Sequence, residues 1–581
     1  MQRITAHRRA RALASLVTVA GLGLAVAAVG PGSAQAADPT GDCATPYPVA
    51  ELAADQPVTG LTVSRGTTPE GFTGEVLGVL DDGIAPGLDM VMVRLTSAEI
   101  DRVGIWQGMS GSPVYAADGR LIGAVAYGLA MGASPVAGVT PFADMDDYLG
   151  TGAARTVTVD GAAARTIARH SDVTAQQAGL GFAQLPAPLG VAGVGARQLT
   201  LAQQHAGSRT YLPRSAYAVG RASADAAGPD TVVAGGNLAA SLAYGDITMA
   251  AVGTATSVCD GKVVGFGHPV QRLGATTMAL HPADAIYVQE DLVAGFKLAN
   301  LGAPAGTITD DRTTGITGVL GPLPETTGVS SIVTYGDRSR TGVSQVSVHT
   351  PDALASTTFY QFLANQDRVV DGTVDGSELA SWTVTGTGPD GAAFELTSTD
   401  LYVSNWDLSY EVGFSLGDIV YALARIPGVS IDSVSTDATV RDDATSYRLT
   451  ALQRKVDGEW TNVSRRQAIP VRAGSTLRLQ AVLSGATGST TVPVTVRIPR
   501  RMAGGAGFLD VTGGQYLGGL GRLTSIEQAQ KAVANLVRND QLKVTLVSLS
   551  KRGRGQSVGS QVLGPVDGVV AGSRSAQLVV R

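Results

Sequence analysis

The run Gly108-Met109-Ser110-Gly111-Ser112-Pro113 sets a hydroxyl between glycines. Glycine admits positive φ and lets a reacting group approach the backbone closely. The N–H groups of Gly108 and Ser110 can then turn towards one point beside the Ser110 hydroxyl, as an oxyanion hole must beside its nucleophile. A serine hydroxyl is a weak nucleophile at neutral pH and needs a base within hydrogen-bond reach. Beyond His7 the chain offers His170, His205, His268, His281 and His349. His170 and His205 lie in polar, Ala- and Gln-containing stretches that read as solvent-facing. His281 directly precedes Pro282, and His349 ends a strand just before Thr350-Pro351, neither with a supporting motif. His268, between Gly267 and Pro269 at a strand end, can be presented to a cleft by a loop. The plain alternative for the Ser110 run is a Gly-Ser turn between two strands.

The elements around the serine follow a pattern of their own. Val114-Tyr115, the turn Asp118-Gly119 and the apolar Leu121–Ala126 read as a hairpin. This stretch, GMSGSP followed by a short hairpin and a GAV strand, resembles the nucleophile segment of the SpoIVB-type serine peptidases, a bacterial family of chymotrypsin-like fold. Gly265-Phe266-Gly267-His268-Pro269, then Pro304-Ala305-Gly306-Thr307-Ile308 and Gly315-Ile316-Thr317-Gly318, is similar to the same family's histidine segment.

The resemblance implies a double β-barrel and an acyl-enzyme peptidase with Ser110 as nucleophile and His268 as base. In that family the histidine block comes first; here Ser110 precedes His268. Triads are defined by geometry and occur in several chain orders, so two barrels in exchanged order can keep the cleft between them. The family also places an aspartate at the end of an apolar strand before the serine. Here that strand ends Arg94-Leu95-Thr96-Ser97, and the nearest carboxylates are Glu99 and Asp101. Asp101 is taken as the third member, with Asp310 and Asp311 as rivals from the histidine block.

The rest of the chain must position these blocks. The fold expected is mainly β: two small chymotrypsin-like β-barrel units, then an α/β segment and a C-terminal β-sandwich-like domain. The divisions expected are a signal peptide over 1–36, a serine-bearing barrel over 37–150, a linker over 151–185 and a histidine-bearing barrel over 186–350. An α/β segment over 351–428, a sandwich over 429–500 and a C-terminal helix and strands over 501–581 follow. The sandwich rests on alternation in Tyr447–Leu452, Leu477–Val482 and Val492–Ile498. Pro351 opens a helix over 352–366, and Ser525 caps another over 525–537. Asp371, Asp375 and Glu378 fall in a glycine-containing stretch, but without EF-hand spacing they read as a solvated turn.

Composition narrows the function. With a net charge of −6 and no basic run beyond the N-terminus, a nucleic-acid partner has no electrostatic support. Arg3, Arg8, Arg9 and Arg11, the apolar Ala12–Gly30 and Ala34-Gln35-Ala36 form an export signal with its cleavage site, and no later stretch is apolar enough to span a bilayer. The protein is therefore expected to be secreted or held in the cell envelope. The two cysteines, Cys43 and Cys259, lack metal-site spacing and suit one disulfide, worth roughly 4–5 kcal/mol by loop closure. No cofactor is called for. The function expected is an exported serine endopeptidase acting on protein or peptide substrates. The alternative is a non-catalytic envelope scaffold that keeps the peptidase fold.

Overall fold

Short strands with apolar residues on one face close most readily into barrels, and the N-terminal part of the chain does so. The computed structural model describes residues 43–581 apart from 131, 147–155, 186–188, 214–216, 219, 221, 224–225, 292–294, 405–406, 465, 487, 515–521 and 551–553. The signal peptide expected over 1–36 lies outside the described residues.

The first barrel consists of β1 (Pro57–Thr62), β2 (Glu70–Ala85), β3 (Leu88–Thr96), β4 (Pro113–Ala116), β5 (Leu121–Leu129) and β6 (Val136–Pro141). They pair in the order β4-β1-β2-β3-β6-β5, and β4 also pairs with β5, which closes the ring. Val58, Phe72, Val91, Leu95 and Trp106 fill its interior. Helix α1 (Ala98–Val103) starts at Ser97, whose hydroxyl accepts from the Ile100 N–H. A short α2 (Phe142–Asp146) follows β6.

The stretch expected as a linker adds to this barrel instead. It holds β7 (Thr156–Val157), α3 (Gly161–Arg169), α4 (Ala175–Ala178) and β8 (Phe182–Gln184). The sequence signal was hidden among small and polar residues: Ala164, Ile167, Ala178 and Phe182 share one core cluster with Met90 and Tyr127 of the barrel. β8 pairs antiparallel with the end of β5, Tyr127 opposite Gln184 and Leu129 opposite Phe182.

After β9 (Gly190–Ala192), α5 (Ala196–His205) and β10 (Tyr217–Ala218), the second barrel forms. Its strands are β11 (Asn237–Gly245), β12 (Thr248–Cys259), β13 (Lys262–Gly265), β14 (Gly274–Gln289), β16 (Gly306–Arg312) and β17 (Gly315–Leu320), while β15 (Phe296–Leu301) pairs with β14. The ring β12-β13-β17-β16-β14-β11 closes through the β11–β12 pair. The chain is thus mainly β with two closed six-stranded antiparallel barrels, as the sequence led one to expect, plus further sheets.

The second barrel's sheet does not stop at residue 350. It continues through β18 (Thr327–Tyr335) and β19 (Arg338–Val346) to β20 (Gly376–Thr387), β21 (Ala393–Ser404) and β22 (Ser430–Arg441), with α6 (Pro351–Val370) and α7 (Leu408–Ala424) packed together against it. Glu378, expected in a solvated turn, lies in β20 with no exposed surface. The boundaries expected at 350 and 428 thus fall inside one hydrogen-bonded sheet.

Two further sheets follow. β23 (Ser446–Val456), β24 (Glu459–Asn462), β26 (Thr476–Gly485), β27 (Gly488–Arg497) and β31 (Val569–Ala571) form one. β25 (Ile469–Val471), β28 (Ala506–Gly513), β29 (Leu542–Leu549), β30 (Gly555–Leu563) and β32 (Ser573–Val580) form the other. Leu449, Leu479, Val494, Leu509, Val544 and Leu578 share their core. The sandwich therefore begins later than 429 and extends past 500, because the strands near the C-terminus supply the sheet that covers the first. Helix α8 (Ile526–Ala534) lies between β28 and β29. Cys43 and Cys259 are disulfide-bonded, which ties the start of the described chain to the end of β12. Among the described residues no helix is long and apolar enough to cross a membrane.

Candidate active site

The serine loop leaves α1 and crosses to the second barrel before it enters β4. Gln107 N–H donates to the Gly295 carbonyl at 2.7 Å, and Lys297 N–H returns a bond to the Gln107 carbonyl at 2.9 Å. Gly108 has φ +96° and Gly111 has φ +98°. At Gly111 the space is as restrictive as the dihedral: a Cβ there would sit 1.9 Å from the Thr254 carbonyl oxygen. This close approach lets β12 hold the loop. Thr254 N–H donates to the Ser110 carbonyl at 2.8 Å. Thr254 Oγ1 donates to the Gly108 carbonyl at 3.1 Å and Thr256 Oγ1 to the Gly111 carbonyl at 2.7 Å. On the other side Gly111 N–H bonds the Val125 carbonyl of β5. Among the described residues, neither the Gly108 N–H nor the Ser110 N–H donates a hydrogen bond.

The histidine loop makes the reciprocal crossing. After β13, Phe266 and Gly267 both have positive φ, 66° and 68°, and turn the chain towards the first barrel. There Thr140 Oγ1 of β6 donates to the Gly267 carbonyl at 2.7 Å. The turn brings His268 Nε2 to 2.8 Å from Ser110 Oγ, across 158 positions of sequence. Ser110 is 2% exposed and His268 is 0% exposed, so the pair is closed to bulk water. Burial lowers the His268 pKa to about 4 against a smaller opposing effect of the Pro269 carbonyl. The ring is therefore neutral at pH 7 and able to accept a proton.

The far side of the ring differs from the expectation. His268 Nδ1 lies 2.9 Å from the Pro269 carbonyl oxygen and 3.2 Å from Gln184 Nε2. Asp101 is not there: its carboxylate accepts from Thr96 Oγ1 at 3.0 Å, which keeps it at the exposed start of α1. Asp310 is paired with Arg312. Asp311, fully buried, acts on the loop rather than the ring. It accepts from the N–H groups of Val270 at 2.7 Å, Gln271 at 2.8 Å and Leu273 at 3.2 Å. Burial raises its pKa while those N–H groups oppose the shift. Asp311 thus fixes the backbone that follows His268.

The two neighbours of Nδ1 favour opposite tautomers. A proton on Nδ1 donates to the Pro269 carbonyl and leaves Nε2 free to accept from Ser110. A proton on Nε2 instead points at Ser110 while Nδ1 accepts from the Gln184 amide. Only the first suits general-base work.

Sequence reasoning passed over several neighbours. Thr140, Thr254 and Thr256 look like ordinary strand residues, and only the inter-barrel seam gives them a role. Lys297, 2% exposed, has its Cβ 2.8 Å from where a Cβ on Gly108 would lie, and its Nζ donates to Asn237 Oδ1 at 2.9 Å. Burial lowers its pKa to about 7. The other histidines lack the serine-loop setting. His281 Nε2 also lies 2.8 Å from a serine hydroxyl, Ser241, and burial likewise brings its pKa to about 4. Ser241 belongs to a paired strand, however, where Ser241 is opposite Ala250 and Ala279. It has no glycine loop to turn two N–H groups towards it. A close Ser–His pair is therefore insufficient; the Ser110 pair adds unbonded N–H donors and a position between two barrels.

Compared with known proteins, the chain matches no family model and no curated protein.

Proposed function

We propose that this chain is an exported serine endopeptidase that cleaves protein substrates through an acyl-enzyme. Ser110 Oγ attacks the scissile carbonyl carbon while its proton passes to His268 Nε2. The N–H groups of Gly108 and Ser110 receive the oxyanion. The imidazolium then gives its proton to the leaving amine as the peptide bond breaks, and a water deprotonated by the same nitrogen hydrolyses the ester. Export accords with the Cys43–Cys259 disulfide.

The observation that carries this reading is the 2.8 Å contact between Ser110 Oγ and His268 Nε2, made by loops that each barrel anchors on the other. Burial of the pair, and the lack of a carboxylate hydrogen-bonded to its far nitrogen among the described residues, favours the second reading, a scaffold that retains the fold. A fluorophosphonate probe separates the two. The peptidase reading expects a covalent adduct on Ser110, absent from Ser110→Ala and slowed about 10³-fold or more in His268→Ala. A folded protein that takes no adduct on Ser110 at saturating probe, or takes it equally in His268→Ala, is the scaffold.

A further inference from the structure

The buried pair raises the question of what fills the space a substrate would need. Along the edge of β5, Val125 accepts the Gly111 N–H of the serine loop at 2.8 Å. The next residue, Ala126, accepts the Leu185 N–H at 2.9 Å. Gln184, Ala183 and Phe182 then pair antiparallel with Tyr127, Gly128 and Leu129. An extended segment thus approaches the nucleophile along β5, and Leu185 is the residue bonded beside the serine loop. Its side chain is 3% exposed. It shares one core cluster with Ile105 and Trp106, and its Cδ2 lies 3.0 Å, and Ile105 Cγ2 4.0 Å, from where a Cβ on Gly128 would be. Gly128 thus supplies the floor of a pocket that the leucine fills. The preceding side chain, Gln184, reaches His268 Nδ1 and the Pro269 carbonyl.

We propose that Phe182–Leu185 is a built-in stand-in for substrate, seated in the peptide cleft of its own site and holding it latent. The inference rests on the peptidase reading and adds a substrate class to it. A productive substrate is an extended polypeptide that adds a strand to Ala126–Leu129, with a large aliphatic side chain in the Ile105–Trp106–Gly128 pocket. Strand addition draws its affinity from main-chain hydrogen bonds and its selectivity from pockets for alternate side chains. An intramolecular strand competes at high effective concentration, so a free peptide gains access only when the strand lets go. Gln184 adds a second brake, because its amide N–H group donates to Nδ1 in the tautomer that leaves Ser110 without a base.

The test measures occupancy apart from chemistry. In a Ser110→Ala background, fluorescein-labelled Phe-Ala-Gln-Leu is titrated by anisotropy against the otherwise unchanged chain and against Leu185→Gly. The proposal expects binding only when Leu185→Gly has emptied the pocket, and competition by the unlabelled tetrapeptide but not by Phe-Ala-Gln-Lys. If Leu185→Gly does not melt cooperatively, Leu185→Ala, which keeps the backbone pairing, takes its place. With Ser110 intact, the emptied variant should take fluorophosphonate about tenfold faster than the wild type or more, and the tetrapeptide should slow it again. No peptide binding to a folded, emptied variant overturns the latent-strand proposal, whatever the probe does. Peptide binding without any adduct on Ser110 upholds the strand and instead rejects the peptidase reading.

Discussion

Asp311→Asn is the substitution that most directly asks how the histidine loop is held. The carboxylate takes three N–H groups, with Val270 on one oxygen and Gln271 and Leu273 on the other. Asparagine can turn its oxygen to Gln271 and Leu273, but its NH2 group then faces the Val270 N–H, two donors where there had been a bond of 2.7 Å. One charge-assisted bond, about 1.5–3 kcal/mol, is lost outright, and the other two drop to neutral strength. Removing a buried charge returns part of this, since burial is what raises the Asp311 carboxyl above its usual range. The net loss expected is about 2–3 kcal/mol.

In urea, this should appear as a lower midpoint at unchanged slope. Adduct formation on Ser110, followed in the Leu185→Gly background and corrected for the folded fraction, should slow about 10²-fold, because a small displacement of a base is costly. A rate that falls only with the folded fraction would show that Asp311 stabilises the protein without positioning His268. An unchanged midpoint would refute the reasoning altogether.

Two further outcomes follow from geometry already described. Gly111→Ala should abolish adduct formation and lower the melting temperature, because its Cβ would meet the Thr254 carbonyl oxygen at 1.9 Å. Gly119→Ala, also at positive φ but in open space, should cost only about 1–2 kcal/mol of backbone strain; equal effects at both sites would discount the seam. The buried histidines set a pH window. His268 and His281 titrate near 4 when folded against about 6.5 unfolded, so the unfolded chain binds more protons between those values. Each contributes stability that is fully present above about pH 6.5 and is lost as pH falls to about 4, on the order of 3 kcal/mol. Urea midpoints at pH 7 and pH 4.5 should converge less in wild type than in His281→Asn; identical pH dependence in both would contradict that burial.

The barrels, and the two side chains that meet between them, were legible because each has a local signature. Gly108, Ser110 and Gly111 occur together, and His268 stands between a glycine and a proline. What the sequence could not display was anything defined by contact between distant strands. Gln184 sits in a stretch that reads as a linker, since Ala and Gln conceal how firmly Ile167 and Phe182 are packed. Asp311 was one of three candidate carboxylates, and its partners are backbone N–H groups that have no sequence signal at all. Asp101 drew attention through its nearness to the serine in sequence, although Thr96 holds it beside its own helix. The second sheet of the sandwich was missed because the alternation up to 499 already read as a complete sandwich, and its cover comes from strands as late as Ser573–Val580.

The threonine seam also bears on when the Ser110–His268 pair can assemble as the chain is made. A chain is made from its N-terminus, so the first barrel emerges with Ser110 long before Thr254, 146 positions beyond Gly108, is there to hold the loop. At that stage Ser110 has no His268 beside it. The strand beside β5, by contrast, belongs to the same early stretch and can seat itself at once. On the peptidase reading, reactivity would begin only when the second barrel docks, with Phe182–Leu185 already paired along β5. On the peptidase reading, serine-first order would act as a timing device: the half that carries Ser110 is made first, covered by its own strand, and given its histidine last.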